Sequence, residues 1–267
     1  MTISLVAQAK GGPFVFWGDL AAGCAQAAAL GFHAVEIFSP GANDLDRKLL
    51  RHLLGEHHLD LAAMGTGAGW VIHKWHLCHA NPEVRRHARE FVRAMIDLAG
   101  QFGAPAIIGS MQGRFEGAVS RDQALDWLGD ALNDLGSQAA RHQQPLFFEP
   151  LNRFETNLLN RVGDTVAFLE TLKATNVKIL ADLFHMNIEE VSLAEALRSA
   201  GRFLGHVHFV DSNRWAAGFG HTEMGPIVKA LRDIGYEGYL SAEILPLPDS
   251  DTAARQTMKS YKQLVNS

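Results

Sequence analysis

The sequence predicts a (β/α)8 barrel of the TIM type, one domain over residues 1–267. Three observations carry that prediction. Apolar, strand-like runs alternate with amphipathic helical segments about eight times, at roughly 33 residues per unit. No linker or shift in composition interrupts the alternation. In the second half, four successive runs stop on a polar, mostly acidic residue: Pro145-Leu-Phe-Phe at Glu149, Val177-Lys-Ile-Leu-Ala at Asp182, His206-Val-His208-Phe-Val at Asp211 and Tyr239-Leu-Ser-Ala at Glu243. An apolar run halted by an acid is how a buried parallel strand reads when its C-terminal end opens into a site. A closed ring brings such ends to one point, whereas an open doubly wound sheet, the competing architecture, strings them along an edge.

The elements follow in order. A strand is expected at 3–7 and a helix at 19–30, started by Asp19 and stopped by Gly31. The second strand is 34–38. The helix at 44–57 presents Leu45, Leu49, Leu50, Leu53 and Leu54 on one face. A third strand, 59–64, precedes a long helix at 83–102 opened by Asn81-Pro82. Strand 106–109 leads to a helix at 120–142 capped by Ser120, with Leu125, Leu128, Leu132 and Leu135 along one side. After the strand ending at Glu149 come helix 164–172, strand 177–181, helix 189–200, strand 205–210, helix 223–234 stopped by Gly235, strand 239–243 and a final helix at 252–264.

Composition narrows the function. The chain is 47% hydrophobic and 20% charged, ordinary for a globular protein with a large core. Its formal net charge of -5 argues against a nucleic-acid partner held by phosphate neutralisation. Two cysteines, Cys24 and Cys78, make no disulfide framework, so a reducing cytoplasm is the expected location. Ala7-Gln-Ala9 mimics a signal-peptidase site but lacks a basic segment and a long apolar run before it. No stretch approaches the roughly 20 apolar residues of a membrane span.

The four strand ends carry the chemistry. Glu149, Asp182, Glu243 and a histidine of the His206/His208 pair would meet at the C-terminal rim, where barrels keep their sites. Three carboxylates and one imidazole form an oxygen-rich shell that a divalent ion holds together, Mn2+, Mg2+ or Co2+ rather than a thiolate-type zinc. Each acid taken singly is more often a salt-bridged surface group; four in matching positions favour the metal. His206 and His208 face the same side of their strand, and alternation cannot choose between them. His185, one turn beyond Asp182, is open as a second ligand, a substrate hydrogen-bonder or a core histidine. Arg214 is suited to clamping a substrate oxygen. His73, His76, His79 and Cys78 match no zinc-finger spacing and read as a rim loop or lid. Gly65-Thr-Gly67-Ala-Gly69 follows a strand, but Trp70 replaces the last glycine of a dinucleotide loop and no helix is expected there, so no nucleotide cofactor is implied.

These residues resemble those of xylose-isomerase-like TIM barrels, within them the D-tagatose/D-psicose 3-epimerase group. The matching motifs are Glu149-Pro-Leu-Asn-Arg-Phe-Glu155, Asp182-Leu-Phe-His-Met-Asn-Ile-Glu-Glu190, His208-Phe-Val-Asp-Ser-Asn-Arg214 and Glu243, and the likeness covers nearly the whole chain. Ala63-Met-Gly-Thr-Gly67, Ile107-Ile-Gly109, Gly113-Arg114 with Glu116-Gly117, and Ser212-Asn-Arg-Trp215 are similar to the 5-keto-L-gluconate epimerase branch. The resemblance implies Glu149, Asp182, His208 and Glu243 as ligands of Mn2+ or a similar ion. It implies Glu149 and Glu243 as the acid/base pair inverting the carbon beside a ketone, through a metal-stabilised enediolate. Glu155, His185 and Arg214 would bind substrate. A homodimer or tetramer is implied as well. Loops 13–17 and 73–79 depart from the sugar epimerases, so the far end of the substrate is open: a ketose, or a keto-sugar acid whose carboxylate would need a cation, with Arg114 and Lys74 as candidates. Aldose–ketose isomerisation (of hydroxypyruvate or inosose type) would use the same site. An endonuclease IV-like repair enzyme would need histidines where Gly65 and Gly109 stand. A non-catalytic sugar-binding barrel would bind a ketose without exchanging its proton.

Overall fold

The structure is a computed structural model that describes residues 1–265. Among the described residues, nine parallel strands form one curled sheet in the order β2-β1-β3-β4-β5-β6-β7-β8-β9. They are β1 (Thr2–Ser4), β2 (Phe16–Trp17), β3 (Ala34–Phe38), β4 (Asp60–Gly65), β5 (Ala106–Ile108), β6 (Leu146–Phe148), β7 (Val177–Asp182), β8 (Leu204–His208) and β9 (Leu240–Ser241). The hydroxyl of Thr2 stitches the two ends of the sheet together: Oγ1 donates to Ala242 O at 2.7 Å and accepts from Val15 N at 3.2 Å. Helices wrap the outside: α1 (Leu20–Ala29), α2 (Arg47–Glu56), α3 (Ala68–His73), α4 (Pro82–Gly100), α5 (Arg121–Arg141), α6 (Val162–Glu170), α7 (Leu183–Glu189), α8 (Leu193–Ala200), α9 (Met224–Asp233) and α10 (Ser250–Val265). The TIM barrel predicted from the sequence is the fold.

The helix starts follow the caps in the sequence. Asp19 accepts from Ala22 N, Asn81 from Glu83 N ahead of Pro82, and Ser120 from Gln123 N. Each side-chain oxygen takes up a backbone N–H that the first helical turn leaves without a partner.

Strand alternation divides the core in two. Outward-facing residues such as Ile3, Ile37, Met64, Ile108 and Phe148 pack under the helices. Ala63, Ile107, Phe147 and Leu180 form a separate small cluster. Phe147 stacks on His206, which bonds Glu36, so polar groups stand beside this cluster.

Four local expectations are corrected. The first strand ends at Ser4, not at residue 7, because the chain turns into a 3-10 segment at Ala7–Ala9. It then returns as β2, a strand too short to show a period. A helix, α3, does open within the 65–69 stretch, starting at Ala68 after Gly67 and including Gly69, without a side-chain cap, and His73 is its last residue rather than part of a loop. The helix expected at 189–200 begins only at Leu193, and a separate helix, α7, precedes it at Leu183–Glu189. The carboxylate of Glu189 accepts from Arg153 N, Nε and Nη2, and Glu190 Oε1 accepts from Val162 N. These tertiary bonds are made where the backbone turns extended at Glu190, and Ser192 caps α8 afresh.

Candidate metal centre and active site

Strand register assembles the site. Asp182 ends β7 and pairs with His208, which ends β8 and pairs with Ser241 of β9. Glu149 directly follows β6, and Glu243 follows β9 by two residues. One ligand atom from each of Glu149, Asp182, His208 and Glu243 lies within 4.8 Å of all the others. His208 Nδ1 is 3.1 Å from Asp182 Oδ2, 3.6 Å from Glu243 Oε2 and 3.7 Å from Glu149 Oε1. Asp182 divides its work: Oδ1 caps α7 by accepting from Phe184 N and His185 N, which leaves Oδ2 to face His208.

Gly109 makes the room. A Cβ there would sit 2.5 Å from Glu149 Oε2, so any larger residue after β5 would push the carboxylate aside. Gly65, which ends β4, is likewise no ligand.

Behind His208 stands Glu36, a residue the sequence reading did not single out. It is buried in β3, with Oε1 3.3 Å from His208 Nε2 and Oε2 2.9 Å from His206 Nε2. His206 therefore faces Glu36, whereas His208 faces both Glu36 and the carboxylates of Glu149, Asp182 and Glu243. A lone apolar-flanked glutamate in a strand gives no sign of this partner 170 positions away.

The electrostatics are asymmetric. Burial, then the charge of Glu243, raises Glu149 well above the ordinary carboxylate range. Burial raises Glu243 as well, opposed by His208 and Arg214. Burial works to raise Asp182 too, but the imidazoles of His185 and His208 outweigh it and hold it below. Neighbouring carboxyls pushed in opposite directions are typical of ligand and acid/base sites. Arg214 Nη2 donates to Glu243 Oε2 at 3.0 Å, and its Nη1 lies 3.4 Å from Glu155 Oε1. The arginine holds a left-handed backbone (φ 63°), an uncommon state for a residue with a side chain. Asp211 fixes that loop, accepting from Ser212 N, Gly218 N and Thr222 N.

Around the cluster opens a cavity of about 540 Å3. Glu149, Glu155, His185, His208, Arg214 and Glu243 line one end; Phe14, Phe38, Trp70 and Val71 line the other. Phe14 stacks on Phe38 at 4.7 Å and meets Trp17 edge-on, so the long β1–β2 loop supplies an aromatic wall. Arg114 lines the cavity, half-buried. Lys74 does not: its ammonium lies over Trp70 and reaches Val71 O, while Lys10 from the β1–β2 loop lines the cavity instead. Among the described residues, His73, His76, His79 and Cys78 form no three-ligand group. His73 stacks on Trp75, and His76 packs edge-on to Trp70 and His79.

The residues fit a divalent cation. The donor set is three carboxylates and one imidazole, and Oε1 of Glu149 is buried with no hydrogen-bond partner.

A parallel barrel with such a cluster and cavity at its C-terminal rim is a barrel enzyme. The chain belongs to the xylose isomerase-like TIM barrel family, whose family model matches residues 24–264. It is similar to the D-psicose 3-epimerase of Agrobacterium fabrum, 42% identical over 121 residues, which are 45% of this chain and 39% of that one. That match spans well under two thirds of the relative's length. The L-ribulose 3-epimerase of Methylomonas sp. is 28% identical over 264 residues, 95% of this chain and 90% of that one. In three dimensions the chain resembles the D-allulose 3-epimerase from Methylomonas sp., with a TM-score of 0.81 and 27% identity, covering 98% of this chain and 96% of that one. These relatives are named as sugar epimerases. Among the described residues, no helix is long and apolar enough to cross a membrane.

Proposed function

We propose that this protein epimerises a ketose or keto-sugar acid at the carbon next to its ketone. One observation carries the reading: a buried glutamate, Glu149, and a half-buried one, Glu243, share a cluster with Asp182 and His208 in the lining of a sugar-sized cavity. Glu149, Asp182, His208 and Glu243 would hold a divalent cation, Mn2+ in our reading, with Mg2+ or Co2+ as alternatives. When bound, that ion supplies Lewis-acid stabilisation of the negative charge that develops on substrate oxygen as the α-proton leaves.

The chain's own residues do the rest. One glutamate removes the proton from the substrate carbon and the other returns a proton to the opposite face, which inverts that carbon. A carboxylate tied wholly to a cation is a weak base. Glu243 shares its charge with Arg214, and Glu149 is raised by burial, so each keeps affinity for a proton. Arg214, His185 and Glu155 hold substrate hydroxyls and the carbonyl in register, and the aromatic wall excludes water from the far end. If the substrate is a keto-sugar acid, Arg114 faces its carboxylate. A cytoplasmic homodimer or homotetramer belongs to the same reading.

The test is a screen of ketoses and keto-sugar acids with Mn2+ in D2O. Deuterium entering the carbon beside the ketone, together with inversion there, is the expected result. Deuterium at the neighbouring carbon instead would mark an aldose–ketose isomerase, and ketose binding without any exchange would mark a non-catalytic barrel.

A further inference from the structure

His185 sits at the cavity with two ring nitrogens in contrasting surroundings. Nδ1 is 2.7 Å from Asn152 Nδ2 and 3.2 Å from Asn152 N. Nε2 is buried with no hydrogen-bond partner, 3.8 Å from Glu149 Oε1, and the residue lines the cavity. Which nitrogen carries the proton decides whether His185 offers the site a lone pair or an N–H.

The orientation of Asn152 settles that question. Its Oδ1 accepts from Phe154 N at 2.9 Å, so its Nδ2 is turned the other way. Nδ2 also lies 3.4 Å from Glu155 Oε1, an acceptor. Both the amide group and the backbone N–H of Asn152 are therefore donors aimed at one imidazole nitrogen. A nitrogen that accepts from two donors holds a lone pair, and in a neutral imidazole the proton must then sit on the other nitrogen.

We propose that Asn152 is a positioning residue that fixes the His185 proton on Nε2, making His185 a hydrogen-bond donor to a substrate oxygen and denying that nitrogen to a cation. This accounts for a histidine on the same rim as Asp182 and His208 that stands outside the ligand cluster. His208 shows the opposite arrangement: its Nε2 faces the acceptor Glu36 and its Nδ1 faces the carboxylates. The identity of the accepting oxygen, carbonyl or adjacent hydroxyl of a ketose, rests on the epimerase reading; the proton's position does not.

The experiment is long-range 1H–15N NMR on the full chain labelled at histidine, without substrate, with His185 assigned by its loss in His185→Gln. The wild type should show Nδ1 unprotonated and Nε2 protonated. An Nδ1–H tautomer overturns the proposal, whatever the enzyme turns over. Asn152→Asp replaces the donor by an acceptor of the same shape and should put a proton on Nδ1; a spectrum unchanged from wild type overturns the proposal. Asn152→Ala keeps the backbone donor and should keep the tautomer. With a ketose found by the D2O screen, Asn152→Asp should raise KM about tenfold and Asn152→Ala by less. Equal damage from both variants would show that Asn152 only supports the loop, and would overturn the positioning role. A correct tautomer with no ketose turned over would count against the epimerase reading alone.

Discussion

Asp182 and His208 stand side by side in the register of β7 and β8, with Asp182 Oδ2 3.1 Å from His208 Nδ1. Both belong to one cluster with the carboxylates of Glu149 and Glu243. Glu149 is raised above the ordinary carboxylate range by burial and the charge of Glu243. His208, against the cost of burial, is raised well above the imidazole range by Glu36 and then Glu243. Protons and a cation compete for both groups. Cation binding should therefore release protons, and affinity should fall as pH falls. Calorimetry in buffers of different ionisation enthalpy measures the release; an affinity indifferent to pH would remove the ion from this cluster.

Glu149→Gln and Glu243→Gln should each lower kcat by about a hundredfold to ten-thousandfold, the range for a lost acid or base. Proton exchange in D2O separates the two: a variant that has kept one glutamate still exchanges from one side while inversion stops. Full inversion in either variant would remove that glutamate from the proton transfer.

Glu36→Gln should weaken cation binding about 10- to 100-fold, since it removes the negative charge that stands behind His206 and His208. Calorimetric titration with Mn2+ is the measurement. Unaltered affinity would make Glu36 a passive part of the barrel interior.

Arg114 lines the cavity half-buried, with no hydrogen bond or ion pair among the described residues. Arg114→Ala should raise KM for a keto-sugar acid about 10- to 100-fold, the worth of a charge-assisted contact, and barely change it for a neutral ketose. Equal effects on both would place the acid's carboxylate elsewhere.

His76 is buried, and its pKa is lowered to about 4 by burial, then by His79 and Arg114. In the unfolded chain it titrates near about 6.5. Between those values the unfolded state takes up a proton that the folded state refuses. Stability should therefore fall as pH drops from 6.5 toward 4, by about 3 kcal/mol at most. Urea melts across that range should show the loss in the wild type and a shallower one in His76→Gln. Replacing Gly113 would test the same packing, since a Cβ there would meet the His76 ring.

Much of the fold was legible because it is written in local periodicity. Eight strands and the caps of the long helices fall where apolar runs, Asp19, Asn81 and Ser120 place them. The failures share one cause. β2, α3 and the break between α7 and α8 are short, and each is held by partners distant in sequence, such as Arg153 for Glu189. The same holds within the site. Glu149, Asp182 and Glu243 could be picked out as candidates because each stands at or just past a strand end, whereas the His206/His208 pair could not be separated. Glu36, Asn152 and Lys10 could not be picked out, because nothing around them in the chain shows what they face.

The sequence by itself determined the barrel and the acids on its rim, since strand ends in a closed parallel sheet have only one place to go. The tertiary structure decided which histidine faces the acids, which nitrogen of it they see, and which cation lines the cavity. Those are matters of distance and direction between side chains on different strands, and a linear order of residues carries neither.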